Sequence, residues 1–192
     1  MLNRLRGKLQ GIIAKLAAPL IRLHINPNII TLSGLFFGFL SILSSKSYPL
    51  MLFFLLMMMF SDGLDGQVAR ALGKTSKFGA FFDSTIDRAE DALSFYLLYS
   101  LGLVQIEELL AIVMGAFLVS YTRARAESLG VEMAGVGIAE RAERLILTTL
   151  ILLVYPMSLQ LARVIFLILL ILTYVTIFQR IWHVYRKTGG FS

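Results

Sequence analysis

The chain has no cysteine among its 192 residues, which excludes disulfides and thiolate metal ligands and is silent about compartment. It carries only two histidines, and His24 and His183 lie far in sequence from the acidic residues, so a histidine-based metal centre has little to draw on. It also lacks any long polar block that could fold separately, so one membrane domain over residues 1–192 is expected. The charged N-terminus is not followed by the short apolar stretch and small-residue cleavage site of a secretory signal. No internal repeat or low-complexity segment stands out. What is present is apolar: 57% hydrophobic residues and a mean hydropathy of +0.78 exclude an ordinary soluble domain. The net charge of +6 fits membrane topology and anionic headgroups. The aromatic–basic interleaving of single-strand nucleic-acid binders is missing, so no nucleic-acid partner is expected.

Hydrophobic periodicity predicts an all-α integral membrane protein with six transmembrane helices and an N-terminal amphipathic interfacial helix. In residues 1–23, Arg4, Arg6, Lys8, Lys15 and Arg22 interleave with Leu2, Leu5, Leu9, Ile12, Ile13, Leu16, Leu20 and Ile21, the pattern of a helix lying in the interface. Asn26-Pro27-Asn28 ends it and can cap the next helix. The six-helix bundle is expected over 29–185. Its spans begin near Ile29, Pro49, Phe78, Leu109, Leu145 and Ala162 and end near Ser45, the aspartate segment after Phe60, Val104, Arg123, Met157 and Tyr185. Two of them are short against the roughly 20 residues a bilayer core needs, so their polar ends are expected to continue as helix beyond the lipid. Lys and Arg concentrate in the N-terminal segment, in 70–77, in 123–144 and in 180–187, all on one side of a six-span layout. The positive-inside rule makes that side cytoplasmic, with both termini and the active site there, in a multi-pass protein of the cell membrane. Trp182 and Tyr185 read as an interfacial anchor.

Against this background stand Asp62, Asp65, Asp83 and Asp87. With Gly66, Ala69, Arg70 and Gly79 they form the pattern D-x2-D-G-x2-A-R-x8-G-x3-D-x3-D. Carboxylates near lipid are expensive and functional by default. Asp62 and Asp65 are three apart and Asp83 and Asp87 four apart, so each pair shares one helix face. The short polar connector Gly73-Lys74-Thr75-Ser76-Lys77 supplies a turn, and two helices so joined would bring all four carboxylates into one cleft. Their repulsion is relieved by one or two Mg²⁺ or Mn²⁺ ions, since hard cations take oxygen ligands. Two ions sharing carboxylates can clamp a pyrophosphate. Gly66 and Gly79 each cost helix stability, roughly 1 kcal/mol against alanine, and give close backbone approach in return. Ala69 is small for the same reason, and Arg70 is placed to bind phosphate. Gly63 lies outside the spacing and reads as a packing residue.

A purely ionic network with Arg70 and Arg88 would leave Asp62, Asp65, Asp83, Asp87 and Asp91 in excess. Asp91 continues the Asp83/Asp87 face, whereas Glu90 reads as a helix-packing partner. A divalent-cation or proton transporter would need polar residues continuing across the membrane, and the spans offer few on the far side.

The aspartate pattern resembles, without departure, the signature of the CDP-alcohol phosphotransferase family, integral membrane enzymes of phospholipid synthesis. The resemblance implies transfer of a phosphatidyl-type group from a CDP-linked lipid to an alcohol, with release of CMP. It implies that Asp62, Asp65 and Asp83 hold metal, a pair of Mg²⁺ or Mn²⁺ ions, and that Asp87 binds metal or acts as base on the acceptor hydroxyl. Gly66, Ala69, Arg70, Ser76 and Gly79 would line the CDP site. Asn28 and Thr31 match the family's Pro-Asn-x-x-Thr start of the first span, near the nucleotide or its diphosphate. A homodimer is a further expectation from the family.

The acceptor is read from a second cluster: Ser120-Tyr121-Thr122-Arg123-Ala124-Arg125-Ala126-Glu127, Gly137-Ile138-Ala139-Glu140-Arg141-Ala142-Glu143-Arg144 and Gln179-Arg180. As plain anchoring charge it would pair with Glu127, Glu140 and Glu143. As a site it would bind an anionic acceptor, because arginine forks pair with phosphate oxygens. The string is similar to the corresponding segment of phosphatidylinositol phosphate and archaetidylinositol phosphate synthases, which implies inositol 1-phosphate as acceptor and Arg123, Arg141, Arg144 and Arg180 as its phosphate ligands, Arg141 and Arg180 foremost. Glycerol 3-phosphate is the rival acceptor. The donor, CDP-archaeol or CDP-diacylglycerol, is left open.

Overall fold

The computed structural model describes residues 15–189, so most of the expected amphipathic segment, residues 1–14, lies outside the described residues. The described part is helical, with no strand. Helix α1 occupies residues 15–22. It is followed by α2 (Pro27–Leu43), α3 (Tyr48–Ala71), α4 (Lys77–Ser100), α5 (Ile106–Ser128), α6 (Arg141–Val154) and α7 (Leu159–Lys187). The six helices α2 to α7 overlap the six apolar stretches of the sequence, with ends that differ by a few residues. Three of them, α3, α5 and α7, are long and apolar enough to cross a membrane. The others differ for identifiable reasons. Helix α2 has 17 residues and α6 has 14, short of the roughly 20 that span a bilayer core. Helix α4 has 24 residues but carries Asp83, Asp87, Arg88, Glu90 and Asp91 along its length.

The chain divides into two compact units, Met1–Leu93 and Ser94–Ser192, the boundary falling within α4. In the first unit, Asn26 caps α2 by accepting from the Asn28 amide at 3.0 Å, and Pro27 opens the helix, where its missing N–H costs nothing. The buried positions of α2 are Pro27, Ile30, Thr31, Gly34, Gly38 and Ser41, and those of α3 are Met51, Leu55, Met58, Ser61, Asp65 and Val68. Both sets recur every three or four residues, so each helix presents one face inward. The opposite face of α2 exposes Ile29, Leu32, Phe36, Phe39 and Leu43, as a lipid-facing helix does. At Gly34 and Gly38 the helices approach closely: a methyl group on Gly34 would lie 3.3 Å from Ser61 Cβ, and one on Gly38 3.0 Å from Met58 sulfur. This G-x-x-x-G spacing is a small-residue seam of the membrane-helix kind. Ala17 of α1 is fully buried with Ile30 and Val68, which docks α1 on α2 and α3. The turn between α3 and α4 bends at Gly73, whose φ of 62° suits glycine. Ser76, just before α4, accepts from the Gly79 amide at 2.9 Å and so caps the helix.

In the second unit, α5 opens with a reciprocal capping box between Gln105 and Glu108. Arg163 of α7 forks onto both carboxylate oxygens of Glu108 and also donates to the Leu103 carbonyl at 2.8 Å. Gly115 of α5 leaves room for Thr173 and Tyr174 of α7. At the other end of α7, Phe178, Trp182 and Tyr185 stack in series and are exposed, consistent with the expected interfacial anchor.

Candidate active site

The carboxylate site is built by α3 and α4 in the first unit. Asp62, Asp83 and Asp87 each offer an oxygen, and the three oxygens lie within 4.8 Å of one another in a half-buried setting. On a single octahedral Mg²⁺ with oxygens at about 2.1 Å, adjacent oxygens stand about 3.0 Å apart and opposed ones about 4.2 Å, so side-chain adjustment would draw these three together onto one cation. The donor set therefore fits a hard divalent ion. Asp87 also lies 3.2 Å from the guanidinium of Arg88, its neighbour in sequence.

Asp65 stands outside that group of three. It is 5% exposed, and Thr31 Oγ donates to its Oδ2 at 2.6 Å while the Gly66 amide donates to its Oδ1 at 2.5 Å. It opens instead onto a cavity of about 160 Å³ that Asp83 also lines. The sequence pattern thus brings its four aspartates to one region in two settings: three gathered together, and one fixed against α2.

The cavity contains every residue expected at the CDP site. Asn28 and Thr31 of α2, Gly66, Ala69 and Arg70 of α3, Ser76 of the connector and Gly79 of α4 all line it. The two glycines earn their place by contact. A methyl group on Gly66 would lie 3.4 Å from Arg70 Nη1, because the Arg70 side chain lies over that glycine. A methyl group on Gly79 would lie 3.1 Å from Ser76 Oγ and 3.5 Å from Asn28 Oδ1. Pro27, Lys74, Thr75 and Ala80 complete the lining. Lys74 adds a second cation beside Arg70, where the sequence marks it only as part of the turn. Its visible signal was its place in a polar connector between two motif halves.

The arginines lie in the second unit. Arg180 is 2% exposed and donates to the Val136 carbonyl at 2.9 Å, to the Val119 carbonyl, and to Glu140 Oε1 at 3.2 Å. It lies within electrostatic reach of Arg123 and Arg144, with Glu140 as countercharge. Arg144 is buried and donates to the Ala139 carbonyl at 3.1 Å. Arg141 is the first residue of α6, directly after its N-cap Glu140. Arg123 is about half exposed and pairs with Glu127 at 2.9 Å. Arg123, Arg144 and Arg180 therefore form one cationic cluster. Arg144 and Arg180 also brace the segment before α6, which Thr176 holds by accepting from the Ala139 amide at 2.9 Å. That bracing was not legible in the charge pattern. Neither histidine belongs to the carboxylate group.

A helical membrane-type protein with clustered carboxylates beside a cationic, glycine-floored cavity belongs to the class that handles phosphates with divalent ions. Residues 24–181 match the CDP-alcohol phosphatidyltransferase family, and the chain belongs to it. It is 38% identical to the archaetidylinositol phosphate synthase of Pyrococcus horikoshii over 77% of this chain and 79% of the relative. It is 34% identical to the Aeropyrum pernix protein of the same name over 95% of each. Among solved structures it is similar to the Mycobacterium tuberculosis phosphatidylinositol phosphate synthase crystallised with CDP-DAG bound, at 26% identity and a TM-score of 0.71, covering 91% of this chain and 94% of that one. The same enzyme has been crystallised in complex with manganese and citrate; that structure gives a TM-score of 0.72 at 26% identity, covering 90% of this chain and 88% of that one. The protein is accordingly an enzyme of phospholipid synthesis of the CDP-alcohol phosphotransferase type.

Proposed function

We propose that the protein transfers a phosphatidyl or archaetidyl group from a CDP-linked lipid to inositol 1-phosphate and releases CMP. The observation that carries this reading is the cavity in which all the expected CDP-contacting residues converge beside Asp65 and Asp83. The names of the relatives and the cationic cluster of Arg123, Arg144 and Arg180 support the acceptor.

In this reading Arg70 and Lys74 hold the diphosphate of the donor, and Asn28, Ser76 and Gly79 frame its headgroup. Asp62, Asp65, Asp83 and Asp87 hold one or two divalent ions, Mg²⁺ or Mn²⁺, which when bound neutralise the diphosphate and the charge that develops on the departing CMP. Asp87 accepts the proton of the acceptor hydroxyl. That oxygen bonds to the lipid-bearing phosphorus, and the bond from this phosphorus to the bridging oxygen breaks, so CMP leaves with the electron pair. Arg123, Arg141, Arg144 and Arg180 hold the acceptor phosphate, Arg141 and Arg180 foremost. The family match extends across both compact units, which supports reading residues 1–192 as one functional domain. We extend the reading to six membrane crossings, cytoplasmic termini and active site, an interfacial N-terminal helix and a homodimer.

The test is CMP release from detergent-solubilised protein with Mg²⁺, a diacyl or archaeol CDP-lipid, and inositol 1-phosphate, glycerol 3-phosphate or free inositol. Release with inositol 1-phosphate alone is the expected result. Release with glycerol 3-phosphate instead would overturn the acceptor and keep the aspartate chemistry. No release with any pair, or release unaffected by chelation of divalent ions, would overturn the reaction itself.

A further inference from the structure

We infer that Glu90 is a positioning residue: its carboxylate, seated against Gly34 of α2, fixes α4 so that Asp83 and Asp87 meet Asp62. The inference rests on the carboxylate-site reading above. Three observations carry it. Glu90 is 2% exposed, an unusual burial for a carboxylate. It follows Asp83 by seven residues, two helical turns, and so continues the same face of α4. Its Oε1 occupies the space a methyl group on Gly34 would need.

The Gly34 notch is also walled by α3. A methyl group there would lie 3.3 Å from Ser61 Cβ and 3.5 Å from the Met58 carbonyl. Ser61 immediately precedes Asp62, is itself buried, donates to the Met57 carbonyl at 2.9 Å and lies 3.4 Å from Ser33 Oγ. One notch therefore meets α2, α3 and α4 next to the residue that supplies the first carboxylate. A displacement of Glu90 there shifts the helix that carries the other two.

Gly38, the next glycine of the seam, provides an internal contrast. A methyl group there meets Leu93 Cδ1 at 2.8 Å and Met58 sulfur at 3.0 Å, both flexible apolar ends. Those can turn aside at little cost. A buried carboxylate must carry its polar contacts with it when it moves. Addition of a methyl group at Gly34 should thus disturb the metal site, and addition at Gly38 should not.

The experiment titrates Mn²⁺ into the detergent-solubilised full chain by electron paramagnetic resonance, with CMP release measured in parallel. Gly34→Ala is expected to weaken Mn²⁺ binding about tenfold or more, and Gly38→Ala to leave it within about threefold. Glu90→Asp, which withdraws the carboxylate by one methylene, should restore Gly34→Ala to within about threefold of the Glu90→Asp single variant. Glu90→Gln, equal in shape, should bind Mn²⁺ nearly as the native protein does, whereas Glu90→Ala should lose about tenfold. Native Mn²⁺ binding in Gly34→Ala or Glu90→Ala would overturn the inference, as would a double variant no better than Gly34→Ala. Should Gly34→Ala not fold, the Gln and Ala variants at Glu90 decide alone: equal loss in both overturns positioning by shape. Absence of CMP release in the native protein, with these Mn²⁺ affinities as expected, would refute the reaction and leave Glu90's role standing.

Discussion

Replacing Thr31 with valine removes one hydroxyl from the site and almost no volume. Thr31 is buried, and its Oγ donates to Asp65 Oδ2 at 2.6 Å, the short geometry of a charge-assisted bond. Its longer contact with the Pro27 carbonyl, 3.2 Å, does not substitute for that bond. A hydrogen bond to a charged group contributes about 1.5–3 kcal/mol. At 1.4 kcal/mol per decade this corresponds to roughly 10- to 100-fold in an equilibrium constant. In the proposed site Asp65 keeps further lone pairs for a cation, so there Thr31 would orient a ligand rather than compete for it. Loss of such an outer partner typically costs 10- to 100-fold in metal affinity, which agrees with the bond estimate. Thr31→Val is therefore expected to weaken Mn²⁺ binding by about 10- to 100-fold, read by titration of the solubilised protein, with a parallel fall in CMP release at limiting metal. Thr31→Ser keeps the hydroxyl and should stay within about threefold of the native protein. Native Mn²⁺ affinity in Thr31→Val, or an equal loss in Thr31→Ser, would refute the reasoning.

Asp87→Asn removes the proposed proton acceptor and should lower CMP release by about 10²- to 10⁴-fold, the usual contribution of a general base; Asp83→Asn should lose activity with metal affinity, and a native rate in either would sink the mechanism. Ser76→Ala should cost about 1 kcal/mol of stability as a lost cap, whereas Ser76→Gly should cost only a few tenths. Both should raise KM for the CDP-lipid if the hydroxyl touches the donor, so denaturation midpoints and KM together separate the two roles of Ser76. Arg163→Ala should destabilise the protein by about 1 kcal/mol, the value of a fork on Glu108 discounted for the partial exposure of both groups. Its kcat and KM should be unchanged, and a kinetic effect would show that the fork does more than hold helix ends.

The legible part of the site was the part encoded by spacing within two consecutive helices. Three- and four-residue intervals fix which carboxylates share a face, and the Gly73 turn returns the chain, so Asp62, Asp83 and Asp87 could be gathered from the sequence. Even there, spacing did not separate Asp65 from its three companions. That distinction arises from Thr31, 34 residues away, whose bond is a property of how α2 packs on α3. The G-x-x-x-G seam at Gly34 and Gly38 emerges only from the packing of α2 on α3, which also decides what occupies the space beside it. The buried Glu90 shows the same limit: a helix-packing partner by sequence, yet with a counterpart visible only in three dimensions.

The limit is widest at the arginines Arg123, Arg141, Arg144 and Arg180. Sequence marks them as cationic and close to glutamates, and that is equally true of an anchoring patch and of a phosphate site. The fold adds that Arg180 reaches Val119, Val136 and Glu140, and that Arg144 reaches Ala139. These contacts hold the segment before α6, and Arg180 lies within electrostatic reach of Arg123 and Arg144 with Glu140 as a countercharge. Concentrating buried guanidinium groups is costly unless an anion repays it. An acceptor phosphate is such an anion, and its fork geometry matches arginine better than lysine. In the proposed reading, acceptor specificity thus follows from the packing of α5, α6 and α7 rather than from any spacing within one of them, whereas the donor chemistry follows from the aspartate spacing itself.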